Sequence, residues 1–341
     1  MTEQSAPWEI SDPDRLIASP LVSVYMLAYK HERFIEEAIK GVLMQRTNFP
    51  YELIIGEDRS PDRTLEIATS YQAKHPEIIR IITSPGNVGA HKNAYRCRMA
   101  TRGKYIAICE GDDFWHNSTK LQAQVDLMEI HPDMALCHTD FNRCTRFRTK
   151  RSVHRNSHIP PAQGNAYNSL LCNWTVMTAT SMYRRDVVMD FMNTEFYTHR
   201  WPFGDRNLLL YSSLRGKIGY IDESTATFRR TRGSATNSGN MSRLRMALAT
   251  QECVEMFLER YPVPVDVSRK ARVRLKEETL RYAFLQGDTE IMESCTRWLA
   301  ESGGSQSVYS SRLFRALAGT KPAISLFRKM KQLLDDMASD Q

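Results

Sequence analysis

The chain has 341 residues, 42% hydrophobic and 25% charged, which excludes a disordered or fibrous protein and allows one large core with a smaller appendage. A formal net charge of +7 suits phosphorylated substrates, nucleic acid or an anionic membrane surface without choosing among them. Seven cysteines with no Cys-x-x-Cys pair and no zinc-like spacing exclude a disulfide scaffold and fit free thiols in a reducing compartment. Residues 1–20 are polar and acidic and lack the apolar core of a signal peptide. No run reaches the ~18 apolar residues of a membrane-spanning helix, so a cytoplasmic protein is expected. Leu21 to Ala28 predicts a buried strand, and Phe34, Ile35, Ala38, Ile39, Val42 and Leu43 then repeat at helical spacing between His31 and Gln45. Tyr51 to Gly56 predicts a second strand. It ends at Glu57-Asp58-Arg59-Ser60-Pro61-Asp62, where Ser60 or Asp62 can cap a helix carrying Leu65, Ile67, Ala68 and Tyr71. Ile78 to Thr83 is a third strand, Asn87 to Ala100 mostly helix, and Tyr105 to Cys109 a fourth strand. Ser118 is placed to cap the helix that runs to Pro132. This repeated alternation predicts an α/β fold with a doubly wound, mainly parallel sheet.

The fourth strand stops abruptly at Glu110-Gly111-Asp112-Asp113. Carboxylates crowded around a glycine raise one another's cost of ionising, and a hard cation relieves that repulsion. An acidic turn that merely caps a helix is the plain alternative. Its position at the carboxyl end of a hydrophobic strand, where open α/β sheets bind ligands, favours a metal and diphosphate site.

Beyond Pro132 the pattern loosens. Met134 to Cys144 predicts a strand and Thr145 to Gly164 a loop. Arg143, Arg146, Arg148, Lys150, Arg151 and Arg155 occur there without an acidic residue, as a solvated loop or as a phosphate clamp. Met177 to Tyr183 and Ile218 to Phe228 predict strands, with a helix between them from Gly204-Asp205 through Leu208, Leu209, Leu210, Tyr211 and Leu214. Three helices follow, Leu244 to Tyr261, Val267 to Gln286 and Thr289 to Glu301. Ser302-Gly303-Gly304-Ser305 makes a flexible break. The tail places Ile324, Phe327, Met330, Leu334 and Met337 on one face, flanked by Lys321, Arg328, Lys329 and Lys331. It either packs on its own domain or makes a peripheral contact with the inner face of a membrane. The chain accordingly divides into an N-terminal extension (1–20), an α/β domain (21–238), a helical region (239–301) and a break with a basic amphipathic tail (302–341).

The ordered set Val22-Ser23-Val24-Tyr25-Met26-Leu27-Ala28-Tyr29-Lys30, Glu57-Asp58-Arg59-Ser60-Pro61-Asp62-Arg63-Thr64, Asn87-Val88-Gly89 and Glu110-Gly111-Asp112-Asp113 resembles glycosyltransferase family 2, whose members are inverting and have the GT-A fold. The resemblance spans Leu21 to Ser238 and implies residue roles. Asp58 would read the uracil edge of a uridine nucleotide, which suits an ionised carboxylate because it can only accept. Tyr29 would cover the base, Ala28 and Glu32 would line the pocket, and Lys92 takes a place where the family often has arginine. Asp112 would touch ribose or metal and Asp113 would be the chief ligand of Mn²⁺ or Mg²⁺. Glu110 stands where many members have aspartate. Phe203-Gly204-Asp205 matches the family's acceptor-side Gly-Asp, making Asp205 the expected general base, whereas the residues alone suggest a plain helix cap. Arg229, Arg230 and Arg232, in Phe228 to Ser234, would lie near the donor diphosphate, and Trp115 and Trp201 would wall the acceptor pocket or pack in the core. The Gln-x-x-Arg-Trp signature of processive members is absent, Ser294 standing before Thr296-Arg297-Trp298, so transfer of a single sugar is expected.

The expected partners are a nucleotide sugar, a UDP-sugar by preference, and a glycan or lipid-diphosphate-linked acceptor of surface polysaccharide synthesis. A nicotinamide enzyme would need a Gly-x-Gly-x-x-Gly turn after the first strand, where Ala28-Tyr29-Lys30-His31-Glu32 has no glycine. A nucleotidyltransferase would need a glycine-rich phosphate loop. The alternative is a non-catalytic protein that binds nucleic acid or phosphate through the basic loop and tail. For nucleic acid the interleaved aromatics of a stacking surface are missing and the acid cluster would repel the backbone, so no such partner is expected.

Overall fold

The computed structural model describes residues 8–145, 148–199, 201–230 and 239–302. In chain order the first half contains β1 (Trp8–Ile10), β2 (Val22–Ala28), α1 (Ile35–Leu43), β3 (Tyr51–Glu57), α2 (Thr64–Lys74), β4 (Ile79–Thr83), α3 (Ala90–Ala100), β5 (Tyr105–Ile108), β6 (Phe114–Trp115) and α4 (Lys120–Ile130). The second half adds β7 (Met134–Cys144), β8 (Thr149–Lys150), α5 (Tyr167–Cys172), a single 3₁₀ turn (Thr178–Thr180), β9 (Met182–Arg184), α6 (Arg185–Met192), α7 (Glu195–Thr198), α8 (Asp205–Arg215) and β10 (Lys217–Arg229). Three helices close the described chain: α9 (Asn240–Arg260), α10 (Val265–Gln286) and α11 (Thr289–Glu301).

The strands form one sheet in the order β1-β4-β3-β2-β5-β9-β7-β10-β6, with β8 beside β7. Strands β4, β3, β2 and β5 are mutually parallel, as the alternating pattern predicts. Parallel strands are covered on both faces, which is why β2 and β3 are near-continuous apolar runs. Val22, Val24, Met26, Leu53 and Ile55 enter the core under α1 and α4, while Tyr25 and Ile54 enter the core on the other face. Past β5 the sheet becomes mixed. β9 runs antiparallel to both β5 and β7, and β7 is parallel to β10.

Residues 8–10 of the N-terminal extension join the sheet: β1 pairs antiparallel with β4, and Glu9 ion-pairs with Arg80 at 2.8 Å. Several expectations are corrected. Helix α1 starts at Ile35, because His31 to Phe34 form a turn closed by the Phe34 N–H on the His31 carbonyl at 2.9 Å. Ser118 does not cap α4; the Asn117 carboxamide oxygen accepts the Thr119 N–H at 2.7 Å. Met177 to Tyr183 is not one strand. Hydroxyls bond back three residues there, Thr180 to the Met177 carbonyl (2.6 Å) and Ser181 to the Thr178 carbonyl (2.7 Å), winding a 3₁₀ turn before β9 begins. The 145–164 loop is tied down where it is described: Asp140 accepts the His154 N–H at 2.7 Å.

The C-terminal helices have their own core of Leu280, Phe284, Met292 and Leu299, while Phe257 and Leu275 join the main core beneath α5 and α8. Among the described residues no helix is long and apolar enough to cross a membrane. The break at 303–305 and the basic tail lie outside the described residues.

Candidate active site

At the carboxyl ends of β2 and β3 the chain turns through two left-handed residues, Lys30 (φ 60°) and Arg59 (φ 56°), each just after an expected nucleotide contact. Non-glycine residues tolerate that conformation at a cost, which surrounding bonds here offset. The Lys30 N–H donates to Ser60 Oγ at 3.0 Å, and Glu57, fully buried, accepts the Arg59 and Ser60 N–H groups at 3.0 and 2.6 Å. Asp58 is only 2% exposed. Its two oxygens accept the Val88 and Gly89 N–H groups at 2.8 and 2.9 Å, and the Arg96 guanidinium lies 3.6 Å away. Gly89 has φ 85°, which a side chain would strain, so Asp58 and this glycine together shape the loop before α3. An ionised carboxylate has about four lone-pair sites, so two remain for a ligand.

Tyr29 is 40% exposed at the rim, with the Lys30 ammonium 5.0 Å from its ring centre. Ala28 is buried and its carbonyl accepts the Asp58 N–H at 3.0 Å. Glu32 braces the two loops: its N–H donates to Asp62 and its carboxylate accepts the Arg63 N–H, both at 3.2 Å. Lys92 is exposed on the first turn of α3.

The acid cluster follows β5. Gly111 is required by close approach: a Cβ there would lie 2.7 Å from His31 Nδ1 and 3.1 Å from the Leu27 carbonyl oxygen. Glu110 Oε2 and His31 Nδ1 are buried without a hydrogen-bond partner. Burial, then the charges of Asp112 and Asp205, push the Glu110 carboxyl up to about 8. Burial, then Glu110 and Asp112, push Asp113 well above the usual carboxylate range, although it accepts the Arg229 N–H at 2.8 Å. Among the described residues no group of three or more His, Cys, Asp or Glu side chains is arranged to hold a metal ion. Asp112 and Asp113 remain a two-carboxylate set of the kind that Mg²⁺ or Mn²⁺ shares with phosphate oxygens. The mutual repulsion and the unpartnered Glu110 oxygen fit a cation there.

Asp205 reaches this cluster through β9. In the β5–β9 ladder Ala107 pairs with Met182, and the Ile108 N–H donates to the Ser181 carbonyl at 3.3 Å. The residues before Ser181 therefore run alongside those after Ile108. Thr178 Oγ1, in that segment, donates to Asp205 Oδ2 at 3.2 Å, and Asp205 Oδ1 accepts the Arg206 N–H at 2.9 Å. Asp205 begins α8, with Gly204 in the cap position. Thr178 was not visible as a site residue, since its segment has the apolar pattern of a strand. Arg96 and His31 carried no signal beyond their nearness to the motifs.

One expectation needs correcting. Trp115 walls no pocket: it is 1% exposed, its indole N–H donates to the Ala179 carbonyl at 2.7 Å, and it packs with Ile39 and Leu121 in the core. Trp201 is likewise buried, with its indole N–H on Glu252. Arg229 makes its contacts within the protein. Its guanidinium lies over Phe114 (4.3 Å) and Phe34 (5.3 Å), donates to the Asp112 carbonyl at 2.9 Å and pairs with Glu37, so it positions Asp113. Arg230 is exposed, with its N–H on the Cys144 carbonyl at 2.8 Å, and Arg232 lies outside the described residues.

An uncharacterised protein of Mycobacterium tuberculosis is 31% identical over 221 residues, covering 61% of this chain and 58% of that one, so the chain spans less than two thirds of that relative. The fold is shared with TarS of S. aureus, solved with UDP-GlcNAc (TM-score 0.52, 14% identity, 84% of this chain and 93% of that one). It is also shared with the mannosyltransferase PcManGT of Pyrobaculum calidifontis, solved with GDP-Man and Mn²⁺ (TM-score 0.55, 13% identity, 98% and 90%). Both likenesses establish an α/β fold of the GT-A type. The model of glycosyl transferase family 2 matches residues 23–192, and through that segment, which holds both the Asp58 loop and the acid cluster, the chain belongs to glycosyl transferase family 2.

Proposed function

We propose that the protein is an inverting, non-processive, metal-dependent glycosyltransferase that moves one sugar from a nucleotide sugar, a UDP-sugar by preference, to a hydroxyl of a glycan or lipid-diphosphate-linked acceptor. The observation that carries it is the β5–β9 register, which sets Thr178, and through it Asp205, beside the acid cluster. Tyr29 offers an exposed ring for the base, and Asp58 keeps lone pairs for a uracil imide N–H. The donor class also follows the bound molecules of the structural relatives, UDP-GlcNAc in one and GDP-Man in the other.

In the displacement, the acceptor oxygen bonds to the anomeric carbon from the face opposite the diphosphate. The carbon–oxygen bond to the diphosphate breaks and its electron pair leaves with that group. The acceptor proton passes to the Asp205 carboxylate, which the Arg206 N–H and the Thr178 hydroxyl hold in place. Asp112 and Asp113 would hold Mn²⁺ or Mg²⁺, which when bound would supply charge neutralisation for the departing diphosphate. Arg229 keeps Asp113 aimed by its own N–H and by its hold on the Asp112 carbonyl.

Surface polysaccharide synthesis on the inner face of the cell membrane is the setting we assign, with the basic tail as a peripheral contact. The test is a panel of nucleotide sugars incubated with the protein and Mn²⁺, following nucleotide release and thermal stabilisation. Release from one donor, and stabilisation by UDP with Mn²⁺, are expected. Stabilisation by DNA with none by any nucleotide would replace this function with the non-catalytic binding alternative.

A further inference from the structure

Arg206 follows Asp205 directly, on the first turn of α8, and is half-buried. Its guanidinium lies 4.7 Å from the centre of the Trp174 ring. Among the described residues it makes no hydrogen bond and no ion pair. Asp205 and Glu278 act on it only through longer-range attraction, against the repulsion of Arg274. Burial is the largest influence and pushes the guanidinium below its usual range. A partly desolvated guanidinium held over an aromatic face keeps its N–H edge for an oxyanion.

The surroundings hold this arrangement in place. Trp174 follows Asn173, whose side-chain oxygen accepts from Arg274 of α10, so the C-terminal helices fasten the segment that carries the ring. Thr178, four residues further on, holds Asp205. One short stretch thus positions both the proposed base and the guanidinium beside it. Tyr29, Glu32 and Asp58 follow β2 and β3, on the side of β5 away from β9, whereas the Thr178–Asp205 contact lies on the β9 side, so Arg206 is placed for the acceptor.

We propose that Arg206, backed by Trp174, is an acceptor-specificity residue that recognises an oxyanion, phosphate or carboxylate, close to the hydroxyl that reacts. This deepens the glycosyltransferase function proposed above and rests on it.

The test uses the full chain saturated with UDP and Mg²⁺, titrated by calorimetry with glucose 6-phosphate, glucuronate and glucose. At least one anionic sugar should bind at least tenfold more tightly than glucose, and the stronger of the two identifies phosphate or carboxylate as the source. Arg206→Gln should abolish that preference while UDP affinity and melting temperature stay as in the wild type. Arg206→Lys should recover only part of it, because an ammonium lacks the planar fork. Equal binding of all three sugars, or a preference that survives in Arg206→Gln, overturns the proposal. A wild-type chain that fails to bind UDP overturns the donor assignment instead, and titrations repeated without nucleotide then decide the Arg206 site separately.

Discussion

The two halves of the sheet are built differently. From β4 to β5 each strand is parallel to its neighbour, and the expected nucleotide contacts Tyr29, Glu32, Asp58 and Asp112 sit in loops that follow a strand. From β9 to β6 the pairings are mixed, and the candidate base depends on a hydroxyl 27 positions before it in the chain. The first half teaches that a binding loop can be encoded beside the strand that supports it. The second teaches that a base can be placed by register between strands that are distant in sequence.

The sharpest way to break this contrast is Asp205→Asn. Transfer should fall by roughly 10²–10⁴-fold while UDP affinity is unchanged, as single-turnover rates and nucleotide titration would reveal. Undiminished turnover removes Asp205 from the mechanism. Trp115→Ala should cost about 3–5 kcal/mol in urea unfolding, as a core residue does, with little change in acceptor KM once folded. The reverse outcome, intact stability and a weakened acceptor, would restore Trp115 to the pocket.

Asp58→Ala leaves the Val88 and Gly89 N–H groups unpaired, at about 1–3 kcal/mol of stability, and should weaken UDP binding at least roughly tenfold. Asp205→Asn and Asp58→Ala together separate the halves: the first should change rate alone, the second nucleotide affinity and stability.

A fourth prediction concerns His138 in β7, buried with its Nε2 on the Ala162 carbonyl at 2.8 Å. Burial pushes it down to about 4. An unfolded histidine takes up its proton near 6.5, whereas the folded site resists until about 4. The unfolded state therefore binds more protons across that window, and stability is lost as the pH falls from 6.5 toward 4. His138→Gln, which keeps an N–H donor, should reduce the acid loss by an amount on the order of 1 kcal/mol, measured as urea midpoints at pH 7 and pH 5. An identical acid profile in the variant would exclude His138 as a source. The smallest effect belongs to Lys92→Ala: an exposed charge on α3 should change donor affinity by no more than about threefold.

Legibility followed the same division. The strand and helix alternation from Leu21 to Ile130 can be read from periodicity, since each element buries its own apolar face and each loop is local. Asp112 and Asp113 stood out because charge interrupts an apolar run. Trp115 and Arg229 could not be placed from sequence for a common reason: residue type advertises what a side chain can do and says nothing of what encloses it. The indole lies under α1 and α4, and the guanidinium is held between two rings by Glu37 from α1. Asp140 is a further case. Its strand was legible, but its role in holding the basic loop through the His154 N–H was not.

By itself the sequence determined a parallel α/β core and a cluster of acids at the end of its fourth predicted strand, because hydrophobic periodicity and turn chemistry act over a few neighbouring residues. Only the tertiary structure decided that Asp205 stands beside those acids, that Asp58 shapes the loop before α3, and that Arg206 rests on Trp174 without a counter-charge in contact. Those placements depend on strand register and on packing between distant segments, whose energy is shared among many contacts and written in no single motif.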